Sequence, residues 1–191
     1  MTTRSPSTAA CASLTSLCGW SVTRSRGRRS TSAGYTVASP LRIGALAAGA
    51  ADEAARELVE LGRPAGLAFQ LQDDLLNLVG DASAQGKDFR SDITEGKRTL
   101  AVVWALEHLD DEPHRELVDL LESKTTNPDE LARAVELIEQ GGGIEACRDL
   151  ALKLTRDAQG KARALATSGT ITPESAELLC SMADFFINRS A

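Results

Sequence analysis

Between Gly66 and Leu106 the chain reads GLAFQLQDDLLNLVGDASAQGKDFRSDITEGKRTLAVVWAL, and its charges come in an order that suits one kind of chemistry. Asp73 and Asp74 stand side by side in an apolar segment. Gly86-Lys87-Asp88 reads as a turn, Asp92 follows, and Glu95-Gly96-Lys97-Arg98-Thr99 reads as the opening of the next helix. On a helix, positions i, i+3, i+4 and i+7 share a face. Gln70, Asp73, Asp74 and Asn77 therefore turn oxygen atoms to one side, beside an apolar stripe of Leu67, Leu71, Leu75 and Leu78. Magnesium prefers hard oxygen ligands, typically one or two carboxylates with phosphates and waters. Asp73 and Asp74 are the candidate carboxylate ligands, with Asn77 a neutral oxygen one turn later. Lys87 and Lys97 are flexible ammonium groups suited to bracket a diphosphate held by the same ion. Adjacent helical acids are in most proteins a solvated face, Lys97 and Arg98 read alone are surface charge, and Asp92 read alone is a helix cap. The ordered sequel to the acidic pair is what favours a metal–diphosphate site. Such a site ordinarily faces a second acidic cluster, and residues 1–51 contain no acid at all.

The elements that must hold these residues all read as helices. From Tyr35 onward, Leu41, Ala45, Ala48, Ala51, Ala55 and Leu58 recur at three- and four-residue steps, as a buried helical face requires. Gly62 and Pro64 are expected to break that helix, and a new one to run from about Pro64 to Val79. Further helices are expected from about Lys97 to Leu109 and from Pro113. Another follows Asn127-Pro128-Asp129-Glu130, with Asn as cap and Pro in the first turn. Gly141-Gly142-Gly143 reads as a helix break and not as a nucleotide loop, because no strand or following lysine accompanies it. Two more helices carry Ile144, Ala151, Leu154 and Ala158, then Ala176, Leu179, Cys180, Ala183 and Phe186 after Thr172-Pro173. No alternating segment of strand length competes, so the fold class is all-α, a bundle of long helices.

Composition narrows the function. Residues 1–51 hold six arginines, and residues 52–191 hold 15 basic and 27 acidic side chains, a net of −12. So acidic a body argues against nucleic acid as a partner, since phosphate backbones demand clustered Lys and Arg. Cys11, Cys18, Cys147 and Cys180 have neither C-x-x-C spacing nor paired histidines nearby, so neither a zinc site nor a disulfide framework is indicated. Cys147 and Cys180 are expected in apolar surroundings, and His108 and His114 at the surface. No apolar run suits a stable membrane span, and the expected compartment is the cytoplasm. Fourteen of residues 1–32 are Ser or Thr. The segment shares the Arg- and Ser-rich, acid-free character of a transit peptide, but is read as a disordered or artefactual leader ahead of a helical domain over 33–191.

FQLQDDLLN resembles the second aspartate-rich motif of the trans-isoprenyl diphosphate synthases, the polyprenyl synthetase family of farnesyl and geranylgeranyl diphosphate synthases. GKDFRSDITEGKRTL resembles the Gly-Lys turn, Asp and Lys-Thr helix start that follow it. SAGYTVASPLRIGALAAGA and ELLCSMADFFINRS resemble an upstream and the C-terminal helix, all in one order over about residues 31–191. The resemblance implies part of an isoprenoid-synthase-type bundle, corresponding to the C-terminal half. It also implies a reaction. Magnesium ions hold an allylic diphosphate between two aspartate-rich helices, and ionisation leaves an allylic cation. The double bond of isopentenyl diphosphate attacks that cation, and loss of a proton completes elongation by one five-carbon unit. By position, Asp73 and Asp74 would bind metal, Ser32, Gln70, Lys87 and Lys97 the diphosphate, and Phe69 would line the cavity. Lys87 and Lys97 would assist departure of the leaving group. Three departures are visible: Asn77 replaces an Asp, Thr31-Ser32 replaces a Lys-Ser pair, and the half bearing the first aspartate-rich motif is missing. A truncated synthase, inactive alone, is expected. The alternative is a non-catalytic diphosphate-binding or regulatory partner of a full-length synthase. Either would be a homodimer or hetero-oligomer.

Overall fold

The computed structural model describes residues 34–80 and 89–188. Among them the regular elements are all helical, as the sequence periodicity requires. A short π-helical turn, Gly34–Ala38, leads into α1 (Ser39–Ala47), followed by the long α2 (Asp52–Val79). A single turn, α3 (Ser91–Thr94), precedes α4 (Leu100–His108), α5 (Asp111–Ser123) and α6 (Pro128–Gln140). Two helices, α7 (Gly143–Thr167) and α8 (Pro173–Asn188), complete the described fold. The Ser- and Arg-rich leader expected over residues 1–32 lies outside the described residues.

The expected break at Gly62 and Pro64 is overturned, because α2 runs through both. An interior proline loses a backbone hydrogen bond and crowds the preceding turn, at about 3 kcal/mol. Burial on both sides of it offsets that cost. Leu61, Ala65, Ala68, Leu71, Leu75 and Leu78 are all buried on this helix, and Pro64 is buried with them. Gly62 is a notch in α2 for a crossing segment: a Cβ there would sit 2.7 Å from the Ala38 Cα.

The core forms where α2, α7 and α8 meet. Leu61 packs with Ala162, Leu165 and Ala176, while Ala65 packs with Ala158 and Val37. Rising numbers on α2 thus meet falling numbers on α7, and the two helices run antiparallel. The amide of Gln159 donates to the Cys180 carbonyl at 3.4 Å, tying α8 back to α7. The glycine triplet does end α6, and it also sets a close approach. A Cβ on Gly141 or Gly143 would collide with the backbone of Ala105 or Ala101 on α4. Asn127 caps α6 as expected, its Oδ1 accepting from the Asp129 amide at 2.9 Å. Cys147 is buried and Cys180 half-buried, and neither is joined in a disulfide. His108 is exposed as expected, whereas His114 is half-buried and its Nδ1 lies 2.8 Å from the Leu106 carbonyl. Among the described residues, no helix is long and apolar enough to cross a membrane.

The packing of Gly62 gives a test with opposite signs at two glycines. Gly62→Ala gains up to about 1 kcal/mol of helix propensity but drives Cβ into backbone, so stability should fall by about 1–3 kcal/mol. At Gly160, inside α7, an added Cβ meets nothing within 4 Å. Gly160→Ala should therefore raise stability by about 0.5–1 kcal/mol. Urea unfolding of both variants checks this, and the same sign at both sites would refute the packing account.

Candidate functional site

The C-terminal turns of α2 carry the acidic pair, oriented by leucines. Leu71, Leu75 and Leu78 are buried, which leaves Gln70, Asp73, Asp74 and Asn77 half-buried on the adjoining side. The Gln70 amide donates from Nε2 to Asp74 Oδ1 at 3.2 Å, the i,i+4 contact their spacing allows. Gln70 therefore steadies one carboxylate of the pair in addition to its expected place beside a diphosphate.

Asn77 does something the sequence did not reveal. Its Nδ2 donates to Ser91 Oγ at 3.0 Å, its Oδ1 accepts from the Asp92 amide at 3.1 Å, and its carbonyl accepts from the Arg90 amide at 2.9 Å. One side chain and its own carbonyl thus fasten α3 to the end of α2. The carboxamide oxygen read from sequence as a metal ligand is engaged by the Asp92 amide. Arg90, at φ 58°, takes up the left-handed conformation this connection needs.

Asp92, which read in isolation as a helix cap, is instead a buried carboxylate, 7% exposed. Lys97 Nζ donates to its Oδ1 at 2.7 Å and lies 3.0 Å from Glu95 Oε2. Backbone geometry brings the two together. Gly96 has φ 67°, the Lys97 amide donates to the Asp92 carbonyl at 2.8 Å, and the Gly96 amide donates to Ile93. A side chain at Gly96 would meet the Leu121 carbonyl at 2.9 Å as well. Lys97 therefore lies in a turn before α4 and not on the helix start that the sequence suggested. The hydrogen bonds that its ammonium donates, to Asp92 first and then to Glu95, hold it above the usual lysine range.

The acids crowd one another. Burial, and then the Asp92 and Asp73 carboxylates, push the Asp74 carboxyl from 3.8 up to about 6, against the Gln70 hydrogen bond and the Lys97 charge. Phe69 packs edge-on against Phe186 of α8, with ring centroids 5.1 Å apart. Ser32 and Lys87 lie outside the described residues. Flanking Asp92 and Lys97 in the chain, Arg90 Nε and Thr99 Oγ1 are buried without a hydrogen-bond partner. Both atoms can donate. Among the described residues, no cluster of three His, Cys, Asp or Glu side chains could hold a metal alone. A carboxylate pair beside phosphate oxygens and waters is nonetheless a set that magnesium accepts, so the donors present fit that ion when it arrives with a diphosphate.

A helical bundle with paired carboxylates at a helix end and a lysine across from them describes a known class of protein. The polyprenyl synthetase family model matches residues 26–138, and the chain belongs to that family. It is 34% identical over 159 residues to a geranylfarnesyl diphosphate synthase of Aeropyrum pernix, covering 82% of this chain and 47% of that protein. It is 44% identical over 110 residues to a (2E,6E)-farnesyl diphosphate synthase of Mycobacterium tuberculosis, covering 56% of this chain and 31% of that one. Among solved structures, it resembles a geranylgeranyl pyrophosphate synthase of Corynebacterium glutamicum complexed with isoprenyl diphosphate and magnesium. The TM-score is 0.70 at 30% identity, over 82% of this chain and 43% of that one. A polyprenyl synthase of Caulobacter crescentus complexed with calcium and isoprenyl diphosphate gives 0.69 at 31%, over 81% and 46%. The chain thus spans less than half the length of these relatives.

The Asp74 environment makes a pH-dependent prediction. Its pKa is raised by folding, so the native state binds the proton more tightly than the unfolded chain. The resulting penalty is absent below about pH 4, grows as pH rises to about 6, and is complete above that. Asp74→Asn keeps an acceptor for Gln70 and removes the charge. It should gain about 1–3 kcal/mol at pH 7.5 and almost nothing at pH 3.5. Chemical denaturation at both pH values checks this; an equal gain at the two would contradict the assignment.

Proposed function

We propose that this chain serves prenyl chain elongation, holding an allylic diphosphate for condensation with isopentenyl diphosphate. The observation that carries the reading is the facing arrangement at the end of α2. Asp73 and Asp74 stand on one side, and the turn bearing Asp92 and Lys97 is bolted to the same helix by Asn77. Asp73 and Asp74 would hold magnesium, which when bound supplies the positive charge that makes diphosphate a tolerable leaving group. Lys97 and Lys87 would neutralise the diphosphate oxygens as negative charge accumulates on them. Ser32 and Gln70 would donate hydrogen bonds to the same group, and the two unpartnered donors, Arg90 Nε and Thr99 Oγ1, support an anionic ligand nearby. Phe69 would border the hydrocarbon tail.

One carboxylate pair supplies half of what the family resemblance implies, and residues 1–51 add no acid. The isolated chain is therefore expected to bind diphosphate weakly, with magnesium, and to turn over little by itself. A second reading, a helical partner for a complete synthase in a homodimer or hetero-oligomer, is favoured by exposed apolar side chains. Ile43, Leu178 and Phe185 are each more than 60% exposed.

Calorimetric titration of the chain with inorganic diphosphate, with and without magnesium, tests the site. Asp73→Ala should remove the magnesium dependence, a loss on the order of tenfold or more. Lys87→Ala should weaken diphosphate binding with or without the metal. Binding indifferent to Asp73→Ala would reduce the acidic pair to a solvated face. Assay with allylic and isopentenyl diphosphates completes the test, and robust prenyl transfer by the chain alone would overturn the half-site reading.

A further inference from the structure

The single turn of α3 carries Asp92 but has little of its own to hold it in place. The first amides of a helical turn are donors without an internal acceptor, and Arg90, in the capping position, makes no side-chain capping bond. Asn77 supplies that cap from another helix. Its Oδ1 accepts from the Asp92 amide at 3.1 Å while its Nδ2 donates to Ser91 Oγ at 3.0 Å. A carboxamide does both at once, whereas a carboxylate could not donate to Ser91. Asp92, fixed in this way, sets Lys97, whose Nζ lies 2.7 Å from Asp92 Oδ1 and 3.0 Å from Glu95 Oε2. An ammonium has three donors, so these two contacts leave one for a ligand oxygen, and the Lys97 side chain is 50% exposed. Hydrogen bonds therefore run without a gap from the Asn77 carboxamide, through Asp92, to the ammonium.

We propose that Asn77 is a positioning residue for diphosphate: without touching the ligand, it fixes Asp92, and through Asp92 the ammonium of Lys97 that meets it. The inference rests on the site reading above and adds a residue to it. Asn77 thereby takes part in binding through α3, in place of the direct metal contact that its sequence position suggested. Changing its side chain leaves the Arg90 amide bonded to the Asn77 carbonyl, so α2 and α3 keep one tie in every variant.

Calorimetric titration of the full chain with inorganic diphosphate in the presence of magnesium reads the effect, with helix content checked by circular dichroism. Asn77→Ala should weaken binding roughly tenfold. Lys97→Gln removes the charge but keeps a donor for Asp92, and should weaken binding as well. In the Lys97→Gln background, Asn77→Ala should cost less than about twofold more, because residues that act through one another lose their effect together. An Asn77 that only stabilised the fold would cost the same factor in both backgrounds. Ser91→Ala deletes the second bond alone and should show the same pattern at about threefold, so it decides the matter if Asn77→Ala does not fold. Wild-type affinity in both variants, or equal losses in the two Lys97 backgrounds, would overturn the positioning role while leaving the diphosphate site intact. No diphosphate binding by the wild-type chain would remove the site reading itself, and the positioning role with it.

Discussion

The carboxamide of Asn77 joins two pieces of chain whose relative placement decides the whole acidic site. Its amide nitrogen holds Ser91, its oxygen takes the Asp92 amide, and its backbone carbonyl takes the Arg90 amide. Without that junction α3, a helix of one turn, would have little to fix it, since four residues cannot nucleate or sustain a helix in water. With it, Asp92 is buried at the foot of α2, and Lys97 is drawn back over it by the left-handed Gly96. An Asn suits this post because it donates and accepts at once.

That placement concentrates negative charge where folding alone would disperse it. Asp73, Asp74 and Asp92 lie close enough that the Asp74 carboxyl is pushed up to about 6, burial being the largest cause. A fold optimised for stability would relieve this by exposure or by a fixed arginine. Among the described residues, this one keeps the acids together beside one flexible lysine, whose ammonium rests on Asp92. The scaffold bears the strain because α2 is braced along its length by α7 and α8, through Leu61, Ala65 and the Phe69–Phe186 contact.

The same bracing explains why α2 ignores its own helix breakers. Local rules make Gly62 and Pro64 a stop, and for an isolated peptide they would be. In the bundle, Gly62 admits the Ala38 backbone and Pro64 is packed among buried neighbours, so both become features of an interface. The glycine triplet shows the mixed case. It ends α6 as local chemistry requires, while its spacing also seats α4 against the start of α7.

Much of this protein was legible in its sequence because helical periodicity is a local property. The all-α class, the Asn127 cap, the burial of Cys147, the alignment of Gln70 with Asp74, and the family itself follow from residue order, since each depends on neighbours within a turn or two or on motifs in sequence. What the sequence left undecided were the events that require distant segments to meet. Whether Pro64 breaks α2 depended on what α7 and the π-helical turn could pack against it. Whether Asp92 is a cap or a buried acid depended on Asn77, fifteen positions away. Lys97 looked like a free cation at a helix start because nothing local announces that Gly96 folds it back onto Asp92. Periodicity fixes which face a residue occupies, but only tertiary packing decides what that face meets, and with it the charge, burial and partner of each group in the site.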